Sequence, residues 1–153
     1  AYDNADASFE ILVKKSLNIL PNFFKLKSFK LFDEFHNIDS QNISLNASIE
    51  IIIDGEIKKG TASAIGPVDA LDNALRLVLS KRFPILSNIT LSDYKVNILN
   101  SSDGTKAKTR VEVRSKDCNG LEWTTIGVSE NIVEASFKAI RDSINYILSR
   151  NNI

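Results

Sequence analysis

Two hydrophobic rhythms alternate along the chain, and their order predicts the fold. Residues 1 to 7 are small and polar and read as loose. From Ala7, the positions Phe9, Leu12, Val13, Ser16, Leu17 and Leu20 recur at helical spacing, and Pro21-Asn22 ends the helix. Phe23 to Phe35 alternates in part, through Phe24, Leu26, Phe29, Leu31 and Phe35. It predicts a bulged strand with Lys25, Lys27 and Lys30 facing water. Ile43 to Ile53 alternates apolar with polar residues and predicts a strand with one buried face. Asp54-Gly55 is a hairpin turn, and Glu56 to Ile65 is the return strand. A helix follows, with Gly66 at the cap, Pro67 first, Asp69 third, and Val68, Leu71, Leu75, Val78 and Leu79 as its stripe. Arg76, Ser80 and Lys81 are expected on its wet side, and Phe83-Pro84 closes it.

The same order then recurs. Leu91 to Leu99 and Ala107 to Lys116 predict strands. Asp117 to Gly120 is a hairpin turn, Leu121 to Val128 a third strand, and Asn131 to Ser149 a long helix. The two cycles match at an offset of 65 residues. Gly66 falls on Asn131, Asp69 on Glu134, and Leu26, Phe29, Lys30 and Leu31 on Leu91, Tyr94, Lys95 and Val96. The middle strands need a shift of about one residue. The expected fold is therefore α+β: two βββα repeats with pseudo-two-fold symmetry, preceded by a helical linker segment. Residues 1–22 form the linker and 23–153 the main domain, with repeat units at 23–84 and 91–150. Such internal symmetry suits a homodimer with a shared site.

Composition narrows the functional classes. At 153 residues, 43% hydrophobic and 25% charged, the chain can bury a core without disulfide or metal staples. Nineteen basic and nineteen acidic residues cancel, which argues against nucleic acid as the main partner. One cysteine, Cys118, allows no internal disulfide and fits a reducing, cytoplasmic setting. No apolar run is long enough to span a membrane. The chain opens on Ala1 directly ahead of a helical pattern, as a piece of a larger protein or a trimmed terminus would.

The search for catalytic chemistry returns nothing assignable. His36 has no second His or Cys at ligand spacing, and Cys118 has no companion histidine. Asp54-Gly55 and Asp103-Gly104 are turn sequences. No catalytic, metal or cofactor site is expected. Two helix starts fed by strands of small residues remain. Their free N–H groups favour a carboxylate, although capping and close packing explain Gly66 and Pro67 equally well. Tyr94 and Trp123 are core or interface residues as readily as ligand walls.

Several motifs in order carry a family resemblance: Gly66-Pro67-Val68-Asp69-Ala70, Leu91-Ser92-Asp93-Tyr94-Lys95-Val96, Gly104-Thr105 with Thr109-Arg110-Val111, and Gly127 through Ser136. They resemble the C-terminal regulatory domain of the α-isopropylmalate synthase and citramalate synthase family. Ala5 to Leu12 looks like the linker before that domain in citramalate-type members, and Trp123 with Thr125 to Asn131 leans the same way. The resemblance implies a domain that dimerises and binds the pathway end product, attached to a catalytic barrel that condenses acetyl-CoA with a 2-oxo acid. It implies isoleucine as effector for the citramalate branch and leucine for the isopropylmalate branch; a purely structural dimerisation module is the remaining reading. By position, it places the effector at Gly66, Pro67 and Asp69, at Leu91, Tyr94 and Ile98, at Ala107 and Thr109, and at Gly127, Val128 and Ser129.

Overall fold

A computed structural model describes residues 2–35, 43–99 and 107–151. His36 and Asp103-Gly104 lie outside the described residues. The element order is α1 (Tyr2–Ser16), β1 (Lys25–Phe35), β2 (Ile43–Ile53), β3 (Glu56–Ala64), α2 (Pro67–Leu79), a 3-10 turn (Pro84–Asn88), β4 (Thr90–Leu99), β5 (Lys108–Lys116), β6 (Glu122–Ser129) and α3 (Ile132–Arg150). This is the expected pair of βββα repeats behind a leading helix. Each repeat forms an antiparallel three-stranded sheet, β1-β2-β3 or β4-β5-β6. The chain divides into two compact units, residues 22–87 and residues 1–21 with 88–153.

In the first unit, Asp54 (φ 52°) and Gly55 (φ 79°) turn β2 into β3, the double left-handed geometry of a tight hairpin. Ala47, Ile49, Ile51 and Ile53 project from one face of β2 and are buried with Leu71, Ala74, Leu75 and Val78 of α2. A Cβ on Gly60 would overlap the Val78 side chain, so the glycine lets α2 come close to β3. Arg76 is not on a wet face. Its side chain is 17% exposed and clamps the buried Asp72 carboxylate, Nε lying 3.0 and 2.9 Å from the two oxygens. Its Nη1 donates to the Leu86 carbonyl at 3.2 Å. The 3-10 turn thus brings a backbone acceptor over the helix, and a position that periodicity marks as polar becomes half-buried.

The second unit repeats this plan with different chemistry. Val111, Val113 and Ser115 of β5 are buried, as are Trp123 of β6 and Ala139, Ile140, Ser143 and Ile144 of α3. Trp123 Nε1 donates to Ser143 Oγ at 2.9 Å, Ser143 Oγ lies 2.7 Å from Ser115 Oγ, and Thr125 Oγ1 donates to the Ala139 carbonyl at 2.6 Å. These buried polar groups are paired, which makes their burial tolerable. At the hairpin, Asp117 Oδ1 accepts from the Asn119 and Leu121 N–H groups, both at 2.9 Å.

The leading helix departs from its sequence pattern. It begins at Tyr2, where the polar composition predicts a loose segment, and ends at Ser16, with Asn18 at φ 58°. It seats on β6 through Ala7 and Ile11. Ser8 Oγ accepts from the Thr124 N–H at 3.1 Å, Tyr146 donates its hydroxyl to Glu10 at 3.1 Å, and Lys15 Nζ lies 2.6 Å from Asp142. The apolar stripe expected to be its buried face points outward, with Phe9 68% and Leu12 59% exposed. A small-residue face held by polar anchors wins over the larger apolar face.

Candidate functional site

The strand-borne candidates depend on a bulge. Leu91 pairs with Ser115 and Asp93 with Arg114, so the register slips between them. An ordinary strand would send Leu91 and Tyr94 to opposite faces; the extra residue lets both face the α3 side. Tyr94 then pairs with Val113, Val96 with Val111, and Ile98 with Thr109. Leu91, Tyr94 and Ile98 therefore share one face, as the slot reading requires. Val96 belongs to that face as well and is missing from the residues singled out by sequence. Counting every second residue onward from Tyr94 finds it.

Helix α3 lies over β5 and β6. Val111 and Val113 are buried beneath it, whereas Val96 is 39% and Ile98 70% exposed. The β4 edge thus carries an open apolar strip beside a covered core. Cross-strand pairing extends the strip into rows: Ile98 with Thr109 and Ser129, and Val96 with Val111 and Gly127. Gly127 and Ser129 stand on the strip's side of the sheet. Val128 alternates to the other face, opposite Arg110. Ala107 precedes β5 and is exposed.

Gly127 is bare for a packing reason: a Cβ there would overlap the Ala135 carbonyl oxygen and lie 2.9 Å from the Ala139 nitrogen. Helix α3 touches the sheet backbone at this point. Ser129 serves the start of that helix, its Oγ accepting from the Asn131 N–H at 3.3 Å. Asn131 Oδ1 in turn accepts from Val133 at 2.7 Å and Glu134 at 3.4 Å. Hydrogen bonding from Lys138, and then from Ser129, holds the Glu134 carboxyl below its ordinary range. The N–H groups at this helix start are thus taken by its own cap.

Gly66, Pro67 and Asp69 lie in the other unit and begin α2. Gly66 is extended (φ −120°, ψ 164°), Pro67 opens the helix, and no side chain caps it. The Ala70 N–H closes the first turn on the Gly66 carbonyl at 3.0 Å. Proline has no N–H, so Val68 and Asp69 supply the backbone donors at this end. Gly66 and Asn131 are both N-caps, as the repeat predicts, but only one carries a capping side chain.

Cys118 is exposed in the β5–β6 turn. Among the described residues, no group of three His, Cys, Asp or Glu side chains could hold a metal ion. No helix among them is long and apolar enough to cross a membrane.

Similarity to known proteins agrees with this architecture. The chain is 42% identical over 149 residues to the (R)-citramalate synthase of Geobacter sulfurreducens, covering 97% of this chain and 28% of that protein. It is 39% identical over 150 residues to the (R)-citramalate synthase of Aquifex aeolicus, with the same coverage. The 2-isopropylmalate synthase of Methanocaldococcus jannaschii is 38% identical over 104 residues, 68% of this chain and 18% of that protein. The chain thus spans well under a third of the length of these curated relatives. Residues 3–148 match the family described as the LeuA allosteric (dimerisation) domain, and the chain belongs to that family.

Proposed function

We propose that this regulatory and dimerisation domain senses isoleucine for a citramalate synthase, the enzyme that condenses acetyl-CoA with pyruvate on the way to isoleucine. The observation that carries the reading is the open strip of Leu91, Tyr94, Val96 and Ile98. It is a wall of apolar side chains at a sheet edge, unfinished in a single copy. A second copy of the domain would complete it into a slot for a branched side chain, with Thr109 and Ser129 as polar neighbours. In the other unit, the uncapped α2 start offers the Val68 and Asp69 N–H groups to a carboxylate, and the Asp69 side chain in the same first turn could take an ammonium. Binding at a shared interface would then bias the attached catalytic region, provided the effector distinguishes two states of the dimer.

Two other readings each have an observation behind them. The resemblance to 2-isopropylmalate synthases favours leucine, and moving one methyl group within a slot is worth at most about 3 kcal/mol. Asn131 already occupies the α3 donors, which favours a dimerisation module without an effector. Titration calorimetry with isoleucine and leucine, on material shown by sedimentation to be dimeric, separates the three. Tighter binding of isoleucine supports the proposal and tighter binding of leucine moves it to the other branch. Heat from neither leaves dimerisation alone.

A further inference from the structure

The two repeats treat the flank of their helix differently. In the second unit, α1 fills the angle between the β6 edge and α3, anchored at Thr124, Asp142 and Tyr146. The repeat offset carries these positions to Lys59, Leu77 and Lys81 of the first unit. All three line an open groove of about 550 Å³ between the β3 edge and α2, with Ile53 and Val78 in its wall. The groove lies where a helix sits in the other repeat.

Residue chemistry at these matched positions runs against a simple solvent face. Asp142, beneath the seated helix, is charged and paired with Lys15. Its counterpart Leu77, with nothing seated over it, is apolar and 50% exposed. Glu122 on β6 likewise corresponds to Ile57 on β3, which is 48% exposed. At these two positions the open repeat carries the apolar residue; at the other two, Lys59 and Lys81 stand in the groove where Thr124 and Tyr146 meet α1. Half-exposed apolar residues beside cations suit an amphipathic partner.

We infer that this groove is the docking site for an amphipathic helix with an acidic flank, supplied by the parent polypeptide from outside these 153 residues. Three observations select this occupant. First, the matched position in the fold is already a helix seat. Second, of the cations that ring the groove, Lys58 pairs with Glu56, Lys59 with Glu50 and Arg82 with Asp54, which among the described residues leaves Lys81 beside Leu77 to meet an acid of the partner. Third, the relatives extend far beyond the aligned region, so chain is available to fill it. By analogy with Glu10 on Tyr146, an acid of the docked helix would meet Lys81, and an apolar residue would cover Leu77. The inference rests on the domain being one part of a longer synthase. It is independent of the effector, whose candidate residues do not line the groove.

Photo-crosslinking in the full-length protein tests it, with benzoylphenylalanine replacing Leu77 and products mapped by mass spectrometry. The expected product joins position 77 to a helix-forming segment outside residues 1–153 with acids along one face. Lys81→Glu in the same protein should lower its yield about tenfold while circular dichroism stays unchanged. Crosslinks to Tyr2–Ser16 of a second copy, to other positions within 1–153, or only solvent-quenched product would overturn it. Failure of isoleucine to bind in calorimetry would leave this result untouched.

Discussion

Arg76 and Arg141 stand at the same point of the two repeats and face different partners. Arg76 clamps a buried carboxylate on the previous turn of α2, Asp72. Arg141 lies over the ring of Phe137, 5.8 Å from its centroid, where the repeat puts phenylalanine in place of Asp72, and its Nε reaches the neighbouring Asp142 at 3.3 Å, a carboxylate it shares with Lys15. The helix starts differ in the same way: Gly66 offers no capping side chain and Asn131 caps two N–H groups. The fold needs the strand order, bulge, turn and helix stripe in both copies, so these persist. Caps and helix-flank pairs are free to diverge, and there the repeats become specialised. One keeps open donors at its helix start, and the other keeps an open apolar strip on its first strand.

The largest expected difference between the repeats comes from removing the two arginines. Arg76→Ala would leave Asp72 buried without its counter-ion and cost about 3 kcal/mol or more. Arg141→Ala would lose a half-exposed cation–π contact worth about 0.5–1 kcal/mol and one of the two cations on the buried Asp142, whose other partner Lys15 remains, so its cost should be the smaller of the two. Urea denaturation of both variants measures the gap, and equal losses would erase the distinction. The pH dependence carries a sign. Burial holds the Asp72 carboxyl above its ordinary range, with Arg76 opposing. The folded state therefore keeps that proton to higher pH than the unfolded chain does. Stability from this group is present at low pH and falls as pH rises through the folded value. Removing Arg76 widens that window, so the deficit of Arg76→Ala should shrink in acid and grow towards neutral pH.

Next in size are the glycines. Gly127→Ala drives a methyl into the α3 backbone and should cost about 1–3 kcal/mol. Gly60→Ala meets chiefly a Val78 methyl group and not backbone, so its cost should be the smaller of the two. Thermal unfolding of the two variants compares them. Tyr94→Ala should weaken isoleucine binding about tenfold, or about 1.4 kcal/mol, and lower the unfolding midpoint by less. Parallel losses in calorimetry and denaturation would make Tyr94 a core residue instead. The smallest pair concerns the caps: Asn131→Ala should cost about 1 kcal/mol of stability. Gly66→Asn should change stability by only a few tenths of a kcal/mol, yet compete with the effector for the α2 donors.

Much of this was legible in the sequence because strands and helices write their period into it. Ile43 to Ile53, the Asp54-Gly55 turn and the Gly66-Pro67 helix start all appear where alternation and turn chemistry place them. The offset even carries the strand bulge, between Leu26 and Ser28 in one copy and Leu91 and Asp93 in the other. The one-residue slip of the middle strands is also present: Leu26 pairs with Ile51, but Leu91 with Ser115. What periodicity missed are outcomes decided by distant partners. Arg76 reads as solvent-facing because its acceptor at Leu86 lies beyond the helix. The face of α1 was misread because Ser8, Glu10 and Lys15 find partners more than a hundred residues away. For the candidate site, the face shared by Leu91, Tyr94 and Ile98 could be read from motif positions, but Val96 and the contrast between the two caps needed the register and hydrogen bonds.

Backbone amide shifts during an isoleucine titration of the folded domain read both helix starts at once. Isoleucine sensing should give large, saturable shifts at the Val68 and Asp69 amides and along Tyr94 to Ile98, with the Val133 and Glu134 amides moving much less. Shifts confined to Val133 and Glu134, or none at saturating isoleucine, would contradict it.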